Sequence, residues 1–146
     1  MTMATGFLLP QLDGEDSAEF WAGTARGELL VQRCGACDAP RFPPRPMCPR
    51  CRSIDVRWAP VSGEGTIWSF VVPHPPLLPA YAELAPYNVI VVELSEDPTL
   101  RMVGNLVTGP DGAINEIDPA TIEIGAPVRV VFSRVEDVTL PRWIRA

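Results

Sequence analysis

A mainly β fold carrying a small cysteine-bearing appendage is predicted by three observations. From residue 58 onward, short runs rich in Val, Ile and aromatic residues alternate with turns marked by Gly and Pro, the pattern of short strands at close spacing. No segment sustains the 3.6-residue periodicity of a long helix. All four cysteines fall in two Cys-x2-Cys pairs between residues 34 and 51.

The 146 residues suit one compact unit, or one domain with a small stabilised appendage. Hydrophobic residues make up 47% of the chain, enough for a core, and the 17 prolines and 11 glycines lie between apolar runs rather than in a tract. A folded, turn-rich protein is therefore expected, not a disordered one. No apolar run reaches the roughly 18 residues of a membrane span. No basic residue precedes Arg26, so a secretory signal is not expected either. A soluble cytoplasmic protein is the expectation.

Three segments follow in order. Residues 1–30 open with an extended apolar arm and continue into a short helix over 17–26, with Asp13 or Asp16 as candidate cap and Gly27 as stop. Phe20, Trp21 and Ala25 give that helix a narrow apolar face and read as packing anchors. Residues 31–57 hold the cysteines, with a strand over 29–33 leading in and one over 54–58 leading out. Residues 58–146 show strands over 65–72, 87–94, 100–107, 128–135 and 138–144, separated by turn signals at 62–65, 96–98, 109–112 and 125–127. Five strands without a long helix predict a small closed barrel of the oligonucleotide/oligosaccharide-binding (OB) type. A two-sheet sandwich is the alternative.

Cys34 and Cys37 form one pair, Cys48 and Cys51 the other, with ten residues between. In each pair the two-residue spacer lets both thiolates reach one ion while backbone amides turn toward sulfur. Two such knuckles complete a tetrahedral four-thiolate site, closed to substrate and so structural. A structural ion also explains how so short and proline-rich a stretch folds. The short gap predicts a tight, rubredoxin-like finger with residues 40–46 at its tip. Zinc is the expected ion, and iron fits the same donor set. Disulfides are disfavoured in a reducing cytosol.

Catalytic groups are scarce. With the cysteines committed, His74 is the one histidine, and it stands in a proline-rich loop without an evident partner. The sequence has no Gly-rich phosphate loop, no nucleophile elbow and no His/carboxylate metal motif. Catalysis by this chain alone is not expected. Residues 73–87 instead combine five prolines with Leu77, Leu78, Tyr81, Leu84 and Tyr87. So apolar a loop is covered either by its own barrel or by a partner, and proline lowers the entropy cost of ordering it.

Charge is unevenly spread. The net charge is −6, all twelve cationic residues are arginine, and residues 33–57 carry six of them against Asp38 and Asp55. A small positive face on an acidic body can meet a phosphate or an acidic partner, and Arg45, Arg50 and Arg52 flank the second knuckle where a metal would hold them. These arginines, with His74, Leu77, Leu78 and Tyr81, are the candidate contacts to a partner or ligand.

Taken together, residues 27–34 (GELLVQRC), the two knuckles with Pro43 between them, Trp58, Gly63, Gly65 and Thr66, Pro86 and Tyr87, residues 103–106 (VGNL) and 124–128 (IGAPV) make the chain resemble the DUF35 family. The resemblance runs in order from about Phe20 to the end. It implies an N-terminal helical segment, a rubredoxin-like zinc ribbon and an OB-fold in an acyl-CoA-associated protein. It also implies a partner: a thiolase-like or lipid-transfer-protein-like enzyme acting as aldolase, thiolase or acyltransferase, with a MaoC-like enoyl-CoA hydratase in some members. Residues 43–53 and 69–74 are most similar to the DUF35 part of a steroid enoyl-CoA hydratase subunit that binds a retro-aldolase. The sequence carries no hydratase domain, which suits either a stand-alone protein or an excised domain.

The expected function is thus a non-catalytic accessory subunit that binds and stabilises a thiolase-fold acyl-CoA enzyme, with the thioester met only indirectly. The alternative is a single-stranded nucleic-acid-binding module. Against it, residues from 58 onward carry five arginines and eleven carboxylates, and their strands do not interleave aromatics with arginine. A small enzyme using the barrel cavity is a further alternative.

Overall fold

The computed structural model describes residues 6–146, so the first five residues of the predicted arm lie outside the described residues. The chain is mainly β, as its pattern predicts. Helix α1 (Ala18–Ala25) is short, and neither Asp13 nor Asp16 caps it. Ser17 occupies the cap position without a side-chain cap bond. The main chain does that work, because the Gly14 carbonyl accepts from the amides of both Ser17 and Ala18 at 3.2 and 2.9 Å. At the other end Gly27 adopts φ +78°. Its amide bonds Thr24 and the Glu28 amide bonds Gly23, the paired closure that needs a left-handed residue, which glycine supplies without strain.

Two antiparallel sheets follow. In the first, β1 (Leu30–Cys34) is the centre, flanked by β2 (Pro40–Arg41) and β3 (Val56–Pro60). Gln32 of β1 stands opposite Arg41 on one side and Trp58 on the other. In the second, the order is β6-β5-β4-β7-β8. Central β4 (Glu64–Val71) pairs with β5 (Val89–Leu94) and β7 (Pro127–Val135), and its register shifts at a bulge between Ile67 and Ser69. β6 (Arg101–Gly104) closes one edge against β5, and β8 (Val138–Arg145) pairs along the length of β7. A parallel bridge from Leu106 to Trp143 links the chain after β6 to β8. The sheet therefore curls on itself as an OB-like half-barrel, and the sandwich alternative does not form.

Alternation explains which face each strand buries. Ile90, Val92 and Leu94 point inward from β5 and are at most 1% exposed, and Ile67, Met102, Val128 and Trp143 meet them. The same core continues beyond the barrel to Phe20 of α1 and to Leu29 and Val31 beside the first sheet. The predicted strand over 100–107 is shorter than expected because a side chain replaces its ladder. Asn88, fully buried, donates from Nδ2 to the Leu106 carbonyl at 2.9 Å and accepts the Leu106 amide at 2.7 Å. Asn105 returns a bond to the Asn88 carbonyl at 2.6 Å. The proline-rich loop, read as irregular, contains a single helical turn, α2 (Pro79–Ala82).

Asn88→Ala removes both side-chain bonds and strands the Leu106 amide and carbonyl in the interior. At about 1–3 kcal/mol for each unsatisfied group, a loss of about 3 kcal/mol is expected. Urea unfolding checks it; a change below about 0.5 kcal/mol means that Asn88 does not clasp the barrel.

Candidate metal centre and surrounding surface

Two tight turns deliver the four sulfurs. β1 ends at Cys34, and the Asp38 amide returns to the Cys34 carbonyl at 3.0 Å, so Cys37 folds back beside it. The second turn repeats the construction, with the Arg52 amide on the Cys48 carbonyl at 2.9 Å and φ +65° at Arg52. Asp38, the corresponding residue of the first turn, has φ +64°. All four cysteines are free. Their sulfurs lie within 4.8 Å of one another, with Cys34 to Cys51 at 3.4 Å and Cys37 to Cys48 at 3.7 Å. A tetrahedral ion with metal–sulfur bonds of about 2.3 Å needs sulfur separations of about 3.8 Å. The donor set and its spacing fit one four-coordinate ion, and Cys34 and Cys48 are buried while Cys37 and Cys51 face outward.

The electrostatics agree. The Cys37 and then the Ala36 amide, the latter 3.4 Å from sulfur, pull the Cys34 thiol down to about 6. Cys48 is lowered chiefly by the Cys51 amide. At Cys51 the Ser53 amide pulls downward most strongly, but Cys34, burial and the other two thiols outweigh it and raise the thiol to about 11. Four thiols this close cannot all ionise against one another unless a cation neutralises them.

The finger tip is held by a buried network. Arg41, 3% exposed, donates from Nε to Gln32 Oε1 at 2.8 Å and from Nη2 to the Arg45 carbonyl at 2.9 Å. The Arg45 amide also reaches Gln32 Oε1, at 2.8 Å. Sequence reasoning placed Arg41 at the tip but not in the interior. The signal was its register opposite Gln32, legible only once the strands are paired.

The other candidate contacts are spread over the surface. The Arg45, Arg50 and Arg52 side chains are exposed and, among the described residues, none is ion-paired with a carboxylate, whereas Arg57 and Arg33 both pair with Asp38. Asp97, in the β5–β6 turn, is held below the usual carboxylate range chiefly by the Thr99 hydroxyl and amide, with smaller pulls from Arg50 and Arg33. His74 is exposed, with Nδ1 2.8 Å from the Val72 carbonyl. Leu77 is half-buried and Leu78 is 50% exposed. Tyr81 is not free: its ring packs on Phe7 at 5.0 Å and Tyr87 at 6.2 Å, and its hydroxyl accepts the Leu8 amide at 3.2 Å. The N-terminal arm thus covers part of the loop. An exposed apolar face that the sequence did not single out lies on β4 and β6, where Trp68, Val71 and Val103 stand outward and the Arg101 guanidinium lies 3.9 Å from the Trp68 ring centroid. Among the described residues no helix is long and apolar enough to cross a membrane.

Residues 21–57 match the family described as ChsH2, rubredoxin-like zinc ribbon domain, and residues 58–133 match ChsH2, C-terminal OB-fold domain. The chain is 38% identical over 128 residues to the 3-oxo-4,17-pregnadiene-20-carboxyl-CoA hydratase alpha subunit of Mycobacterium tuberculosis, spanning 88% of this chain but 37% of that relative's length. It is 35% identical to a DUF35 domain-containing scaffold protein of Methanothermobacter thermautotrophicus, covering 77% of each. Among solved structures it matches a chain of the Ltp2-ChsH2(DUF35) aldolase with a TM-score of 0.78 and 35% identity, over 93% of this chain and 98% of that one.

The ion of such a ribbon is a structural zinc, cross-linking the two turns. One zinc per chain is expected by elemental analysis. Chelation or Cys48→Ser should abolish hydrogen-exchange protection over 34–57, while the amides of β5 stay protected. Well-folded protein without metal contradicts this.

Proposed function

The chain belongs to the DUF35 family of zinc-ribbon and OB-fold proteins, and from that premise we propose that it is a non-catalytic accessory subunit of a thiolase-fold enzyme acting on acyl-CoA thioesters. The likeness to the DUF35 chain of the Ltp2-ChsH2(DUF35) aldolase carries this reading, because that chain is matched over 98% of its length. The family's scaffold-protein relatives point the same way. The Mycobacterium tuberculosis relative is named for a steroid-derived thioester, and the partner's substrate is proposed to be of that class.

The chemistry of the chain suits a supporting part. Its four thiols fill a four-coordinate shell, so no ligand position is left for a substrate. Among the described residues the hydrogen bond of His74 goes to a main-chain carbonyl, not to a carboxylate or nucleophile. Binding groups are plentiful by contrast. Arg45, Arg50 and Arg52 offer forked donors held by a rigid knuckle, and they face the phosphate or carboxylate groups at the thioester entrance of the partner. Leu77, Leu78 and Tyr81, on the proline-rich loop, supply a separate apolar contact near the partner's acyl channel. Zinc supplies no reaction step in this arrangement; it fixes the backbone that carries the arginines.

Co-expression with a thiolase-like enzyme from the same cell, followed by size-exclusion chromatography and thioester turnover, tests the reading. Leu78→Asp should weaken the complex more than tenfold, and Arg45→Ala/Arg52→Ala about tenfold, roughly 1.4 kcal/mol. His74→Ala should leave turnover by the assembled complex within about threefold. Turnover by the purified chain alone, or tight binding of single-stranded DNA or RNA in place of the enzyme, overturns it.

A further inference from the structure

Strand β8 carries a charged side chain that neither the metal centre nor the barrel core uses. Arg142 is half-buried, and desolvation pulls its pKa below the usual guanidinium range, with Tyr81 opposing. Its hydrogen bond from Nη1 to the Gly112 carbonyl is long, at 3.4 Å. Among the described residues it makes no ion pair, while four others are made elsewhere. A partly desolvated cation with one weak neutral partner is costly unless another acceptor completes it.

The same side chain lines a cleft of about 260 Å3 where helix, ribbon and barrel meet. Phe20 and Trp21 come from α1, Phe42 from the ribbon, Met102 from β6 and Leu140 from β8. The aromatic walls brace each other. Phe20 and Trp21 meet edge to face at 4.9 Å, and Phe20 and Phe42 lie 5.5 Å apart. The core has already claimed Phe20, 5% exposed, but Trp21 and Phe42 are only half-buried and keep open surface. Behind the cleft, another donor has no acceptor among the described residues. Trp143 Nε1 is buried without a partner and lies 2.9 Å from where a Cβ on the cleft residue Gly104 would stand.

An apolar cleft with a few convergent polar groups is the usual form of a small-molecule site, and here these are Arg142 and Asn105, whose Nδ2 is already spent on the Asn88 carbonyl. Arg142, with its one long bond, and Trp143 Nε1 are both donors, and the first is charged. We propose that this cleft binds an apolar chain ending in an oxyanion, a carboxylate or a phosphate, with the chain against Trp21 and Phe42 and the oxyanion on Arg142. The guanidinium accepts either head group through paired donors, whereas an organic cation would meet a like charge. The cleft is made by this chain alone, so the inference stands apart from the partner reading and its test uses no partner.

The zinc-loaded chain, labelled with 15N, is titrated with butanoate, hexanoate, hexyl phosphate, hexylammonium and hexanol while the Trp21 indole and Arg142 Nε resonances are followed. Both hexyl anions should shift these signals saturably, and hexylammonium should not. Each added methylene should tighten binding about fourfold, so hexanoate should exceed butanoate about fifteenfold. Arg142→Gln should weaken hexanoate at least tenfold and leave hexanol unchanged, with Arg142→Lys recovering part of the loss. Hexanoate binding more tightly than hexyl phosphate assigns the site to carboxylates, and the reverse order assigns it to phosphates. Failure of both anions to move the two signals, or equal binding of hexylammonium, overturns the proposal. So does wild-type hexanoate affinity in a zinc-loaded Arg142→Gln chain. If that variant does not fold, the contrast among anion, ammonium and alcohol on the wild-type chain decides alone.

Discussion

Strand β1 is the constraint on which the rest of the molecule depends. Just before it Leu29, and within it Val31, enter the core shared with the barrel. Gln32, buried at 3%, gathers both the Arg41 side chain and the Arg45 amide and so fixes the finger tip. Two residues later Cys34 is the first sulfur of the metal cluster. Five residues thus serve the core, the tip and the ion at once. A slip of one residue would turn Val31 out of the core and Gln32 away from the tip, because successive side chains point to opposite faces.

That division of labour explains why an ion is needed in one part of the chain and not in the other. Beyond β1 the finger has little to bury: Met47, Ile54 and Val56 are all more than two-fifths exposed. Hydrophobic burial cannot offset the entropy of ordering such a stretch, so four sulfur bonds replace a core there. The barrel has no such need, since Ile90, Val92, Leu100, Leu106 and Trp143 are all fully buried. Its weak point is polar instead. Where β6 ends, the ladder is continued by the Asn88 side chain, which copies a strand's donor and acceptor with an amide. Both solutions leave the outside of the molecule free for contact, the finger through its unpaired arginines and the sheet through Trp68, Val71 and Val103.

Much of this was legible before any coordinates. Runs of Val, Ile and aromatic residues between Gly and Pro turn signals located the barrel strands, because β-branched and aromatic side chains suit a pleated, half-buried surface. The paired cysteines located the metal cluster, since the spacing that brings two thiolates to one ion is itself local. Local patterns also set the limits. The cap of α1 went to Ser17 through main-chain bonds from Gly14, which no side-chain rule registers. The strand over 100–107 looked longer than it is because, past Gly104, the Asn88 side chain and a single parallel bridge from Leu106 to Trp143 replace a continuous ladder. The coverage of Tyr81 by the N-terminal arm joins residues more than seventy positions apart, and nothing in either segment names the other.

Arg41 and Arg142 show how a structural cation is told from one that awaits a partner. Composition treats all twelve arginines alike, and alternation does not separate Arg41 from Arg142, since each sits on a strand. What separates them is the second partner. Arg41 uses Nε and Nη2 at 2.8 and 2.9 Å on acceptors that are themselves fixed by β1 and the tip, so its charge holds the finger in register and only Nη1 goes without. Arg142 has a single bond at the limit of hydrogen-bond length and stands on the wall of an aromatic-lined cleft rather than in the interior. Removing the charge at position 41 would release a network the protein has built for itself. Removing it at position 142 would release almost nothing the protein contains, and a desolvated cation kept under those terms is explained by an anion that comes from outside.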